Sequence, residues 1–391
     1  VVIRARDNVL LDGEDTQGRV SGVYTQVEPE AKGDSGGVEI ESGSLSLTNG
    51  AQITASTFGE GDAGKVVIRA RDNVLLDGED TQGRVSGVYT QVEPEAKGDS
   101  GGVEIESSSL SLMNGAQISA STRGEGDAGK VVIRARDNVL LDGEDTQGRV
   151  SGVFSQVNPE AKGNSGGVEI ESGSLSLSNG AIITASTFAE GDAGKVVIRA
   201  RDNVLLDGES TQGRVSSVFS TVVSEAKGDS GGVEIDSGSL SLTNGAQITA
   251  STFGEGDAGK VVIRARDNVL LDGEDTQGRV SGVFSTVVSE AKGDSGGVEI
   301  DSGSLSLTNG AQISASTRGE GDAGKVVIRA RDNVLLDGED TQGRVSGVFS
   351  QVESEAKGDS GGVEIESSSL SLMNGAQISA STIGEGDAGK V

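Results

Sequence analysis

The chain has 391 residues, with no Cys, no His and no Trp, 62 Gly and a formal net charge of −29. The missing side chains exclude disulfides, thiol nucleophiles, thiolate zinc sites and a Ser-His-Asp triad, and the charge argues against binding a nucleic-acid backbone, which needs a cationic face. With 34% hydrophobic residues and 2% aromatics, order has to come from where the apolar residues fall rather than from how many there are.

The first residues, Val1-Val2-Ile3-Arg4-Ala5-Arg6-Asp7, lack the pattern of a signal peptide, and no apolar run reaches membrane-spanning length. The chain reads as an excerpt from the interior of a longer protein. Three short stretches that alternate apolar and polar residues come first: VVIRA (Val1, Ile3, Ala5), NVLLD (Val9, Leu11) and VSGVYT (Val20, Val23). An extra segment from Glu14 to Arg19 interrupts them, and a tail from Val27 to Lys32 follows. Three more stretches come next: VEIES (Val38, Ile40), SLSLT (Leu45, Leu47) and QITAST (Ile53, Ala55). Both triplets open on Gly-Asp-small-Gly. Period-2 alternation over five residues marks a strand buried on one face. Turn signals punctuate the strands at Asp12-Gly13, Asn49-Gly50 and Gly59 to Gly64. No stretch has helical periodicity.

The string VVIRARDNVLLDGE recurs at Val1, Val66, Val131, Val196, Val261 and Val326, and Val391 opens a seventh copy. The chain is therefore six repeats of 65 residues (1–65, 66–130, 131–195, 196–260, 261–325 and 326–390), each with two related halves. Three strands separated by turns, repeated at fixed length, predict a triangular coil. Stacked coils pair each strand in parallel with its equivalents, which makes an all-β parallel β-helix of about twelve coils in one continuous solenoid. At roughly 4.8 Å per coil the stack would be about 58 Å long. One coil buries about six aliphatic side chains at ~2 kcal/mol each, too little to offset its backbone entropy alone. Stability then resides in the stack. No atypical cap is visible at either end, which predicts continuation by flanking solenoid or by another copy.

Variation among the six copies supports the inside/outside assignment. Val1, Ile3, Val9, Leu11, Val23, Val38, Ile40, Leu45, Leu47, Ile53 and Ala55 recur in every copy. Changes fall at positions assigned outward: Phe58 becomes Arg123, Phe188, Phe253, Arg318 and Ile383, and Thr48 becomes Met113 and Ser178.

The phrases GSLSLTNGAQITASTFGEGDAG and SGVFSQVNPEA resemble the repeat region of large cyanobacterial exoproteins of the filamentous haemagglutinin type, which are secreted by the two-partner pathway. The resemblance covers all six copies. It implies a right-handed coil, a secreted or cell-surface location, and an adhesive or fibre-forming role without catalytic residues.

Superposing the two halves places Arg4, Glu41, Arg69, Glu106, Arg134 and Glu171 in one alternating column, continued by Arg199, Asp236, Arg264, Asp301, Arg329 and Glu366. Such a ladder favours the correct coil order, although each exposed pair contributes only ~0–1 kcal/mol. Asp12, Glu14 and Asp15 cluster in the inserted segment and are the weak candidates for Ca²⁺, which prefers several carboxylate oxygens. Against a site, Asp15 becomes Ser210 in the fourth copy, and equivalent loops lie roughly 9.6 Å apart, two strand spacings. A solvated acidic surface is the simpler reading, and no other cofactor is expected. Tyr24, Tyr89, Phe154, Phe219, Phe284 and Phe349 share one outward position. They form either an exposed stripe suited to carbohydrate or to a second solenoid, or rings folded over the long loop near Pro29. Paired carboxylates for glycoside cleavage need one distinct cleft, whereas every acid here recurs about six times. An ice-binding reading needs a flat Thr array, which alternate coils interrupt. The function predicted is a non-catalytic extracellular structural rod of a secreted fibre or adhesin. It would act as a stalk or join end to end into a filament; a polysaccharide-cleaving β-helix enzyme is the remote alternative. Its partners would be copies of itself, carbohydrate or a cell surface, with no nucleic acid and no membrane span.

Overall fold

The computed structural model describes residues 1–223, 226–289 and 291–391, and strands are the only long regular elements among them. The chain divides into two units, Val1–Gly194 and Lys195–Val391, each built the same way. The first begins with β1 (Val2–Arg4), β2 (Asn8–Asp12), β3 (Gly22–Val27), β4 (Val38–Ser42), β5 (Ser44–Thr48), β6 (Gln52–Thr57), β7 (Val66–Ala70), β8 (Asn73–Asp77) and β9 (Gly87–Val92). Three consecutive strands form one rung. Each strand pairs in parallel with the strand three places on, so β1, β4 and β7 make one face, β2, β5 and β8 a second, and β3, β6 and β9 a third. The first unit contains six such rungs, ending at Ile182–Thr187. The second contains six more, from Val196–Ala200 to Gln377–Thr382. The chain is an all-β parallel solenoid with two rungs per 65-residue repeat, as the periodicity predicts.

Register explains why these residues are the recurrent ones. Ile40 sits opposite Ile68, Leu47 opposite Leu76 and Ile53 opposite Val88, so these inward columns are aliphatic ladders. Ile40, Leu47, Ile53, Ile68, Leu76 and Val88 are all fully buried. In the first rung Ile3, Val9 and Val23 are only half-buried, because a terminal rung is covered on one side. The same geometry leaves Leu370 and Leu372 more than two-fifths exposed in the last.

The corners carry the turn chemistry. Asn49 and Gly50 both take left-handed φ angles, 53° and 84°, which suits an Asn-Gly pair. A Cβ at Gly50 would also lie 2.8 Å from the Arg84 carbonyl oxygen, so the next rung requires glycine there. The inserted segment folds out as a small closed loop. Glu14 bridges Val20 in antiparallel fashion, and the Asp15 carboxylate accepts bonds from the backbone N–H groups of Gln17 and Arg19, both at 2.9 Å.

Two features of the interior escape the apolar pattern. Thr90 faces inward and its hydroxyl pairs with that of Ser100 in the Gly-rich corner at 2.8 Å; Ser155 and Ser165 repeat the contact. The tail after the third strand covers a small second core, in which Ala128, Val157 and Ala161 pack together.

Candidate binding surface

Outward positions on each strand alternate with the buried ones, so the outer chemistry of each face follows directly from register. The three faces differ sharply.

The first face is charged. Arg4 is in register with Glu41, Glu41 with Arg69, Arg69 with Glu106, Glu106 with Arg134 and Arg134 with Glu171. In the second unit Arg199, Asp236, Arg264, Asp301, Arg329 and Glu366 follow each other in the same way. The Arg4–Glu41 ion pair measures 3.1 Å. The arginines also reach a second acidic column two residues away, as in Arg134–Glu104 at 3.1 Å and Arg264–Glu234 at 2.6 Å. The lysine before each repeat closes on that column too. Glu234 therefore lies between Lys195 and Arg264, whose hydrogen bonds pull its pKa down to about 2. A further Lys/Glu ladder runs along the Gly-rich corner, with Lys32, Glu60, Lys97, Glu125, Lys162 and Glu190 in successive register. Lys32–Glu60 is 2.7 Å long. The Lys/Glu column was accessible to the half-on-half superposition that gives the arginine ladder. Lys32 stands before Gly-Asp in one half and Glu60 before Gly-Asp in the other.

The second face carries a column of alternating Leu and Ser, with Leu10 paired to Ser46 and Ser46 to Leu75. The acids Asp12, Glu14 and Asp15 lie at its far edge without converging. Asp12 accepts from the Thr48 hydroxyl at 2.5 Å and from the Asn49 amide at 2.8 Å, and these bonds hold its pKa below the ordinary carboxylate range. Asp15 is taken up by its own loop and by the Arg19 guanidinium at 2.8 Å. Glu14 accepts from the Thr81 hydroxyl and from Arg84 of the next repeat. Among the described residues no three acidic side chains are grouped to hold a metal ion. Loops two rungs apart are joined by arginine instead: Arg84 donates to the Gly18 carbonyl and Arg149 to that of Gly83. Arg84 also locks its own loop through Asp80, at 2.5 Å. Burial would raise the Asp80 pKa, but the Arg84 and Gln82 donors outweigh it and hold the group low.

The third face is uncharged. Its strands in the first unit read GVYTQV, QITAST, GVYTQV, QISAST, GVFSQV and IITAST. In the second they read SVFSTV, QITAST, GVFSTV, QISAST, GVFSQV and QISAST. None contains Asp, Glu, Lys or Arg, in a chain of net charge −29. Register stacks Tyr24, Thr54, Tyr89, Ser119, Phe154 and Thr184 in one outward column. The six aromatics therefore do share one position, with a hydroxyl residue between successive rings; Phe219, Phe284 and Phe349 occupy it in the second unit.

The rings lie elsewhere than over the Pro29 loop. They lean back along their own strands, over the residue two places upstream. A Cβ at Gly22 would lie 2.2 Å from the Tyr24 hydroxyl, and one at Gly152 2.4 Å from Cζ of Phe154. Glycine at that position leaves the space the ring fills. The exception is Ser217, ahead of Phe219. Tyr24 is 47% exposed and the other five rings are half-buried. Burial pushes the Tyr89 phenol upward.

In the first unit these residues border a shallow groove of about 410 Å³, lined centrally by Tyr24, Tyr89, Gln26, Gln52, Gln91 and Gln117. Arg84 and Arg149 stand at one rim, held by their loop acids, and Glu93 with Arg123 at the other, 3.6 Å apart. Comparison with protein-family models, curated proteins and solved structures gives no match to this chain.

Proposed function

We propose that this protein is a non-catalytic extracellular structural element of a secreted fibre or adhesin, and that its role belongs to the repeated surface of the solenoid. The observation that carries this reading is the recurrence of each interaction from copy to copy. The same aliphatic ladders and arginine column return every 65 residues in both units, and so do the loop-locking arginines except in the fourth copy, where Ser210 replaces the acid. An active site needs one distinct arrangement of groups, whereas a load-bearing or spacing element needs equivalent ones. Stability then grows with the number of neighbouring rungs.

Excision of one repeat, residues 66–130, tests this. The variant is expected to keep its β-sheet circular dichroism, and its maximum dimension in solution scattering is expected to fall by roughly 9.6 Å, two strand spacings. Antibody is expected to label intact producing cells. Loss of folding on excision, or labelling only after lysis, overturns the proposal.

A further inference from the structure

The third face goes beyond a structural role. We infer that in the first unit it is a binding platform for a neutral, extended polysaccharide of the β-1,4-linked type, lying across the strands and parallel to the stacking direction. The inference does not rest on the structural reading, since a platform of this kind works on a scaffold of any purpose.

The first argument is electrostatic. An acidic polymer approaching a protein of net charge −29 is repelled. A basic one would find its partners on the charged face and corners, not on strands that lack charge altogether. The rim arginines offer no free cation to an anionic ligand. Arg84 is engaged by Asp80 and Glu14, and Arg149 by Asp145 and Glu79. A ligand that gains most from this face is uncharged.

The second argument is chemical. A sugar ring presents C–H groups on its faces and hydroxyls around its edge. It therefore matches an aromatic surface flanked by short polar groups that both donate and accept. Tyr24 and Tyr89 supply the surface, and Thr54 between them a hydroxyl. Gln52 and Gln117 flank the rings on one side, and Gln26 and Gln91 on the other. Because each ring leans over a glycine, the groove stays shallow and open along its length, as a polymer requires.

The third argument is spacing. Successive rings lie two rungs apart, roughly 9.6 Å. That is close to the disaccharide repeat of an extended β-1,4-linked chain, in which every second sugar presents the same face. A rigid array in step with its ligand converts several weak contacts into one strong attachment without ordering cost on the protein side.

The test uses the intact 391-residue protein, with microcrystalline cellulose in pull-down and hydroxyethylcellulose in affinity electrophoresis. Polygalacturonate serves as the charged comparison. Retention by both neutral glucans, unaffected by 1 M NaCl, is expected, together with no retention by polygalacturonate. The double variant Tyr24→Ala/Tyr89→Ala is expected to bind about tenfold more weakly with unchanged circular dichroism, and Arg69→Ala on the charged face to bind like the parent. The inference is overturned by failure to bind either neutral glucan, by binding that salt abolishes, or by equal binding of the double variant. It is overturned in favour of a second copy of this chain if sedimentation reveals self-association that the double variant loses.

Discussion

Glu234 offers the sharpest quantitative test of the charged face. It accepts from the Lys195 ammonium at 2.5 Å and from the Arg264 guanidinium at 2.6 Å. Its own side chain is 20% exposed, but the two cations are about half exposed. Hydrogen bonds from Lys195 and then Arg264 lower its pKa from 4.5 to about 2. Taken whole, that shift corresponds to about 3 kcal/mol at neutral pH; screening of the exposed cations reduces it to about 1–2 kcal/mol. The sign follows from the direction of the shift. A depressed carboxylate stabilises the fold above its unfolded value of about 4.5, and the contribution disappears as pH falls towards the folded value of about 2. Repeat arrays lose stability locally, so the assay is native-state hydrogen exchange on Val233–Ser237 and Val261–Ala265, the strands joined by this pair. Glu234→Gln is expected to raise exchange there by a factor of about 5–30 at pH 7. The difference from the parent shrinks through pH 3 and closes near pH 2, and it narrows in 1 M NaCl. A parent–variant difference that stays constant from pH 7 to pH 2 refutes the electrostatic account and assigns the effect to packing.

The remaining predictions concern other columns. Ser107 is buried with no partner for its hydroxyl and faces Ala135 in the next rung, so Ser107→Ala is expected to raise stability by about 1 kcal/mol in urea denaturation; a loss shows that the hydroxyl is satisfied. Ser210 occupies the place of Asp80 and accepts the Arg214 N–H at 3.2 Å, against 2.8 Å at Asp80. Ser210→Asp is expected to restore the turn lock and protect residues 207–216 from proteolysis, by about 1 kcal/mol; faster cleavage contradicts it. In the Gly-rich corner the Asp257, Asp294 and Asp322 carboxylates stack, each accepting the N–H of the next at 2.7–2.8 Å. Asp294→Asn keeps the acceptor and removes a like charge, so a gain of about 0.2–1 kcal/mol is expected at low salt. An unchanged or lower melting temperature argues against repulsion in that column.

Much of the fold was legible because the inward pattern is simple. Val38, Ile40, Leu45 and Leu47 alternate with polar residues, and a 65-residue period with two halves leaves few ways to bury them. The arginine column was legible for the same reason, since register follows once Ile3 is set on Ile40. What stayed hidden depends on side chains that reach away from their own column. Arg69 extends diagonally to Glu39 at 3.4 Å, and Arg84 crosses an intervening rung to the previous repeat's loop. Alternation places a Cβ but not the end of a long flexible chain. The aromatic rings illustrate the same gap. Their shared column follows from sequence, but their tilt depends on the missing Cβ at Gly22 and Gly152. The inward Thr90–Ser100 pair was hidden because polar residues were assigned outward, whereas a corner can bury two hydroxyls that satisfy each other.

The two-half repeat has a physical logic of its own. A parallel solenoid stacks equivalent positions about 4.8 Å apart, so a single-rung repeat would place every side chain on its own copy: arginine on arginine, tyrosine on tyrosine. Like charges directly opposite each other destabilise a sheet, and bulky rings at that spacing leave no slot between them. Two unlike halves convert these outward columns into alternations: Arg4 with Glu41, Lys32 with Glu60, Leu10 with Ser46, Tyr24 with Thr54. The exception supports the argument. Asp34 and Asp62 follow the same Gly in both halves and stack like on like, with the Asp62 N–H bonded to Asp34 at 2.9 Å. That column contains Asn164, a replacement that keeps the acceptor while deleting the charge. Alternation on the first face neutralises charge; on the third it opens a polar slot between rings, which is the spacing a polysaccharide platform requires.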